Sequence, residues 1–314
     1  MEQPSNKIVS VIAVTRGISD YLKTCLNSLK IQTFPDFETI VIDNSLQPAF
    51  GKKILSEYPF IKLHPSHENL FYCQALNKGI EGSQGNFILC LNDDVILDKY
   101  FIERALEGFS YDSRIGAVSG KILRKDGVTL DSTGLFLTLW RSTKERGYGL
   151  KDAGQFQKRG YVFGVNGAVA FYRRQMLEDI KEHGNYFDVD FHIFYEDLDI
   201  AWRANRRGWR GYYIPEAVAY HLRGGTVRPS QGINKPYARR YLNEVLHADL
   251  IKNRYLTIIK NESWLGFLLH IPFLLIYDVI MWGYILIFRP QQLKMFIANL
   301  HYMRLLLTQK IKIK

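Results

Sequence analysis

Three carboxylates, Glu196, Asp197 and Asp199, fall within four positions of the stretch FYEDLDIAWRANRRGW, from Phe194 to Trp209. Two more, Asp93 and Asp94, close the apolar run NFILCLNDD. Acids in such patterns have two uses. A carboxylate at the wall of an active site can take a proton from an attacking hydroxyl. An acidic pair where a buried strand meets solvent can hold a hard divalent cation, which prefers oxygen ligands. Each pattern also has an ordinary use. Acids in a first helical turn complement the macrodipole, and arginines in the last turn complement the other end. Gly208 is placed to stop that helix as its C′ residue, and a lone pair of aspartates can simply cap a loop.

The elements around these acids decide between the uses. Ile8 to Val14 (IVSVIAV) is a short, β-rich apolar run, read as a buried strand. Leu22, Leu26 and Leu29 follow at helical spacing. FETIVIDNS is a second strand, ending at Asp43. A weak helix from Gly51 to Tyr58, a strand FIKLH, a helix YCQALNKGIEG and the strand NFILCLNDD come next. Strand and helix alternate in units of about 30 residues, which predicts a parallel α/β sheet. Ligands of such sheets bind beyond the carboxyl ends of the strands, where Asp43, Asp93 and Asp94 fall. IGAVSGKIL, GVNGAVAFYRR and GYYIPEAVAYH also read as strands. The glycine-rich, charged segment after Lys125 reads as loops and short strands around a site.

Composition narrows the classes. The chain has 314 residues, 47% of them apolar, and carries a net charge of +10 with a pI near 9.3. A sizeable core is possible, and the charge favours anionic partners. Cys25, Cys73 and Cys90 form no CxxC pair, so no zinc site or disulfide framework is expected, and each reads as a small buried hydrophobe. The polar start MEQPSNK, leading directly into a strand, reads as no signal peptide, so none is expected. No G-x-G-x-x-G follows the first strand and no Walker loop occurs, which counts against dinucleotide oxidoreductases and P-loop NTPases. No RNP, zinc-finger or helix-turn-helix signature accompanies the positive charge, so nucleic acid is not an expected partner.

In order along about 215 residues stand VTR, IDNS, LNDD, GVNGAVAFYRR, YEDLDIAWRANRRGW and AYH. This ordered set resembles the inverting family 2 glycosyltransferases of GT-A fold, and most of all the bacterial rhamnosyltransferase-like branch. The resemblance implies a mixed, mostly parallel sheet flanked by helices. It implies a divalent cation (Mn²⁺ or Mg²⁺), a nucleotide-diphosphate sugar donor, with dTDP-rhamnose first and a UDP-sugar as the alternative, and a lipid-linked or polysaccharide acceptor. Thr15 and its neighbour Arg16, Asp43, Asn69, Asn77, Asp93 and Gly167 match positions that contact the donor. Asp94, with Asp93 and His221, matches the metal site, and Asn92 stands where some relatives carry another acid. Asp197 matches the catalytic base, with Glu196 as its orienting neighbour. An inverting transfer needs such a base. Asp199 is read as structural, and Trp202 and Trp209 as core. A non-catalytic membrane scaffold of the same fold is the remaining rival.

Composition shifts after about residue 236. The expected division is a catalytic domain over 1–235 and a helical, basic and hydrophobic membrane-associated region over 236–314. Trp264 to Phe288 is long enough to span a bilayer, but Lys252, Arg254 and Lys260 precede it and Arg289 and Lys294 follow it. Basic residues on both sides lack the asymmetry of one spanning helix. A re-entrant hairpin or in-plane helices would keep both flanks on the cytoplasmic face of the plasma membrane. The basic, amphipathic tail MRLLLTQKIKIK suits anionic headgroups.

Overall fold

A computed structural model describes residues 8–17, 20–223, 244–297 and 299. Its first third alternates β1 (Val9–Thr15), α1 (Asp20–Lys30), β2 (Phe37–Asp43), α2 (Pro48–Glu57), β3 (Ile61–Pro65), α3 (Phe71–Glu81) and β4 (Phe87–Asn92). There follow β5 (Val95–Leu97), α4 (Phe101–Gly108) and β6 (Ile115–Arg124). The glycine-rich middle forms four three-residue strands, β7 (Leu130–Ser132), β8 (Leu135–Leu137), β9 (Thr143–Glu145) and β10 (Gly160–Val162). The chain continues through β11 (Val169–Arg173), α5 (Arg174–Asp179), a 3₁₀ turn (Val189–Phe191), α6 (Glu196–Arg206), β12 (Arg210–His221), α7 (Glu244–Asn261) and α8 (Trp264–Phe288).

The main sheet has the order β10-β12-β6-β11-β4-β1-β2-β3, with β5 beside β12 and β7 beside β6. β1 pairs in parallel with β2 and β4, β2 with β3, and β6 with β12. β11 is antiparallel to both β4 and β6, so those two run the same way. Six strands therefore share one direction, and their carboxyl ends form one edge. Only the second half of GVNGAVAFYRR is strand. Gly164 to Ala168 instead forms the turn into β11, held by the Asn166 side chain, which accepts the N–H of Ala168 at 2.8 Å.

Alternation along the strands builds two cores. Val9, Val11 and Ala13 face α1, α2 and α4, with Leu22, Leu26 and Ile54 packed on them. Ile12, Ile40 and Ile42 face the other way, onto Leu76 and Ile80 of α3, Leu198 of α6 and Leu256 of α7. Strands covered on both faces read as continuous apolar runs, which is the pattern β1, β2 and β4 carry. The three cysteines are buried and free.

α7 packs on the body through its polar residues, and α8 folds back against α7. The expected division at 235/236 and the basic tail lie outside the described residues. Lys252, Arg254 and Lys260, expected to flank a membrane segment, are turned inward instead. Lys252 donates to the Asp190 carbonyl at 2.9 Å, Arg254 pairs with Asp278 at 2.6 Å, and Lys260 pairs with Asp188 and Asp190. Cations tied to partners inside the protein are not offered to lipid.

Candidate active site

The carboxyl edge of the sheet gathers the first group. Thr15 and Asp43 are register partners at the ends of β1 and β2. The Thr15 hydroxyl lies between Asp93 Oδ2, 2.8 Å away, and the Gly17 carbonyl at 2.9 Å. Burial pushes the Asp93 carboxyl up to about 6, against the pull of the Thr15 hydroxyl and with the Asp94 charge adding to it. Asp43 is buried and accepts the N–H of Ser45 at 2.8 Å. Arg16 is exposed just past β1. Asn69 Oδ1 accepts from Asn44 Nδ2 and from the N–H of Phe71, at 3.0 and 3.1 Å, so it shapes the loop beside Asp43. Asn77 faces into the fold. It is buried in α3, donates to the Phe187 carbonyl at 2.7 Å and accepts the Phe187 N–H at 2.8 Å. Its amide pins the segment before α6.

The second group surrounds Asp94. Its Oδ1 faces His221 Nε2 at 3.3 Å, and both atoms are buried. His221 Nδ1 meets Asp131 Oδ2 at 2.9 Å, and Arg223 donates to both Asp131 oxygens at 2.6 and 3.0 Å. Burial alone would raise Asp131, but His221 and Arg223 hold it down to about 2. A carboxylate on Nδ1 makes that nitrogen the N–H of a neutral ring and aims the Nε2 lone pair at Asp94, the outer-shell arrangement of a metal-ligating histidine. An anionic oxygen and a lone pair so close and buried need a cation against them. In the ion-free protein a proton fills that need. Burial pulls the imidazole down, yet Asp131 and Asp94 prevail and lift it to about 9. A divalent cation fits the same donors. Among the described residues no group of three or more His, Cys, Asp or Glu has metal-holding geometry. Water and ligand oxygens would therefore complete the shell, as is usual for Mg²⁺-type ions at phosphate sites.

The third group is the acidic start of α6. Asp197 Oδ1 accepts the N–H of Leu198 at 2.7 Å and Oδ2 that of Gly167 at 3.2 Å. Burial raises both Asp197 and Glu196, and the Asp197 charge lifts Glu196 further. A Cβ on Gly167 would lie 3.1 Å from Glu196 Oε1 and 3.4 Å from Asp197 Cβ, so glycine permits the contact. The turn before α6 is strained: His192, Phe194 and Tyr195 have φ of 56°, 71° and 69°. Left-handed non-glycine residues persist only where their surroundings over-determine them. Here Asn253 of α7 does so, its Nδ2 reaching the carbonyls of Phe191, Ile193 and Phe194 at 2.6 to 2.8 Å. Asp199 is structural, as expected, and is held by Arg203 and Asn261 at 2.8 and 2.7 Å. Trp202 and Trp209 are buried, the latter donating to Asp179.

The Tyr72 hydroxyl joins the groups. It lies 2.8 Å from Asn92 Oδ1 and 3.1 Å from the Gly167 carbonyl. The backbone N–H of Asn92 donates to the Ala168 carbonyl at 3.0 Å. The residue before Asp93 is thus tied to the Gly167–Ala168 turn, whose Gly167 N–H donates to Asp197.

Asp131 and Glu145 escaped the sequence reading. Each lies in the irregular middle segment, where no periodicity marks it. Glu145 accepts from Asn166 Nδ2 at 2.6 Å and from the Ser132 hydroxyl. Burial, then the charges of Asp197 and Asp131, push it up to about 8 despite these donors. The folded protein therefore keeps a proton that the unfolded chain releases near the usual glutamate value. The stabilisation is complete below that value and is lost as pH rises toward 8. Glu145→Gln, with its carbonyl toward Asn166 and its amide toward the reversible Ser132 hydroxyl, removes this dependence. Thermal melts should show little change at pH 5 and a variant more stable than wild type by several degrees at pH 8.5; equal melting at both values would contradict the assignment.

A mostly parallel sheet, covered by helices and ending in carboxylates along one edge, defines a GT-A-type nucleotide-diphospho-sugar transferase fold. The chain belongs to glycosyl transferase family 2, whose model matches residues 10–181, more than half of its length. That stretch holds Thr15, Asp43, Asp93 and Asp94 and stops short of Asp197 and His221. The chain is 24% identical over 216 residues to the poly-beta-1,6-N-acetyl-D-glucosamine synthase of Staphylococcus aureus (strain MSSA476), covering 65% of this chain and 47% of that protein. It thus spans about half the length of that relative. It is 24% identical over 243 residues to the N-acetylglucosaminyl-diphospho-decaprenol L-rhamnosyltransferase of Mycobacterium tuberculosis (strain CDC 1551 / Oshkosh), covering 68% of this chain and 76% of the other. The mannosyltransferase PcManGT from Pyrobaculum calidifontis, solved with GDP-Man and Mn²⁺, shares the fold with a TM-score of 0.56 and 16% identity, over 99% of this chain and 81% of that one.

Proposed function

We propose that this protein is an inverting, divalent-cation-dependent glycosyltransferase of the rhamnosyltransferase-like branch. It moves rhamnose from dTDP-rhamnose to a lipid-linked or polysaccharide acceptor during surface glycan synthesis. The observation that carries this is Asp197, seated on Gly167 and tied through Tyr72 and Asn92 to the Asp93–Asp94 strand end.

Asp197 takes the proton of the acceptor hydroxyl while that oxygen attacks the anomeric carbon. The bond from that carbon to the nucleotide diphosphate breaks on the opposite face, which inverts the centre. Glu196, buried behind Asp197, orients it. Thr15, Arg16, Asp43 and Asn69 line the nucleoside end, and Asp93 lies between nucleoside and diphosphate. Asp94 and His221 would hold the cation, with Asp131 fixing the histidine. When bound, such an ion supplies charge neutralisation for the leaving diphosphate.

The mycobacterial relative, named for transfer of L-rhamnose to a diphospho-decaprenol, supports both sugar and acceptor. The staphylococcal relative keeps a UDP-sugar such as UDP-N-acetylglucosamine as the second reading. We further propose residues 1–235 as the catalytic domain and 236–314 as a membrane-associated region on the cytoplasmic face. α8, 25 residues long and apolar enough to reach across a membrane, and the net charge of +10 support this. The test is nucleotide release from a donor panel with Mn²⁺ and a diphospho-lipid acceptor. Release of dTDP from dTDP-rhamnose is expected. Release of UDP alone would keep the reaction and change the sugar, and release from no donor would overturn the reading.

A further inference from the structure

α8 folds back antiparallel to α7 and meets it through side-chain contacts spread along its second half. Near the start of α8, His270 meets Arg141 at 3.1 Å. In the middle, Asp278 pairs with Arg254 and the Trp282 indole donates to the Tyr255 hydroxyl at 2.9 Å. Met281 and Ile285 pack on Ile251, and just past the helix Arg289 pairs with Glu244 at 2.6 Å. The opposite side of α7 grips the catalytic turn through Lys252, Asn253, Lys260 and Asn261. α7 is therefore a layer between the catalytic body and α8, and α8 has one side left to offer.

That side is apolar. Leu265, Leu269, Ile276, Val279, Ile280 and Ile287 recur at helical spacing and are each more than 60% exposed. The single charged residue within α8, Asp278, faces Arg254 of α7. At 1.5 Å per residue the stripe from Leu265 to Ile287 is about 33 Å long. A helix that crossed a bilayer would meet lipid on all sides, and α7 would have to enter with it. α7 carries Glu244, Asp249, Lys252, Arg254 and Lys260 and is fixed to the catalytic turn, and charges at membrane depth are costly.

We propose that α8 lies in the plane of an anionic bilayer, with its outward stripe sunk into the boundary of headgroups and acyl chains, and does not cross the membrane. This rests on the membrane association proposed above and adds its geometry. Charge selects lipid over a second copy of the chain: at +10 each, two copies repel, whereas an anionic surface attracts. The same arrangement places the helix that holds the turn before Asp197 directly on the membrane-facing element.

The test uses the full chain expressed in bacterial cells. Cys25, Cys73 and Cys90 are buried, so a membrane-impermeant maleimide reads single introduced thiols. Lys52→Cys, in α2, reports the catalytic body, and Lys294→Cys reports the chain beyond α8; both positions are exposed. Both should label in everted vesicles and neither in right-side-out ones. Labelling of Lys294→Cys from the face opposite to Lys52→Cys would overturn the in-plane geometry and leave membrane association intact. In a second measurement, wild type should float with vesicles of phosphatidylglycerol and phosphatidylethanolamine, and the Ile276→Glu/Val279→Glu variant, folded by its thermal melt, should lose flotation. Flotation of that variant would remove the stripe from the contact. A wild type that does not float, but forms a dimer broken by the same variant, would assign the stripe to a second copy and defeat both readings.

Discussion

Asp197→Asn should bind nucleotide sugar as wild type does and lose turnover by roughly 10²–10⁴-fold, the usual contribution of a positioned general base. The substitution is nearly isosteric. Its carbonyl oxygen can still accept from the N–H of Leu198 or Gly167, the two donors that seat the carboxylate now. What it lacks is a lone pair able to keep a proton. Glu196 should not substitute, because its side chain is buried whereas Asp197 is partly exposed. The effect should therefore appear in kcat, with the donor KM little changed, which marks an interaction made only in the transition state. A variant within a few-fold of wild-type kcat would remove Asp197 from the base role.

Asp94→Ala should abolish the cation dependence of nucleotide-diphosphate binding. Loss of an outer-shell partner alone weakens metal affinity by about 10–100-fold, and loss of a ligand should cost at least as much. The Asp94–His221 pair leaves little redundancy, since no cluster of three or more ligating side chains stands in reserve among the described residues. The fold should tolerate the change: β4 ends at Asn92, and the backbone carbonyl of position 94, which accepts the N–H of Leu222 at 2.9 Å, survives it. Cation-dependent binding of wild-type strength by Asp94→Ala would place the ion elsewhere.

The parts of this molecule that were legible in the sequence are those governed by period and by strand ends. β1, β2 and β4 announced themselves as apolar runs because both sheet faces are covered. The acids at their ends could be placed on one edge by the parallel connection alone. Asp131 and Glu145 could not, because their neighbours Ser132, Asn166 and His221 are distant in sequence and meet only when β7, β9 and β12 come together. The partner of Asn77 was hidden for a related reason. The family resemblance implies a segment bordering the nucleotide, whereas the contact of Asn77 with Phe187 comes from 110 residues away. The cations of α7 misled in the opposite direction. A helix with polar residues on its inward face has no apolar stripe to reveal which side is buried. Lys252, Arg254 and Lys260 therefore looked like a headgroup flank, while the fold uses them to join the catalytic turn to α8. The strained turn at His192, Phe194 and Tyr195 carried no glycine to mark it, and its support, Asn253, lies some 60 residues downstream.

The central claim is a cation-assisted nucleotide-diphosphate site at the carboxyl edge of the sheet. Calorimetric titration of the wild-type chain with dTDP, UDP and GDP, each with and without Mn²⁺, tests it most directly. Binding of dTDP should require the ion and be tighter than binding of UDP or GDP. Binding of no nucleotide under any condition would contradict it, and would leave Asp93, Asp94 and Asp197 as the caps of a strand and a helix.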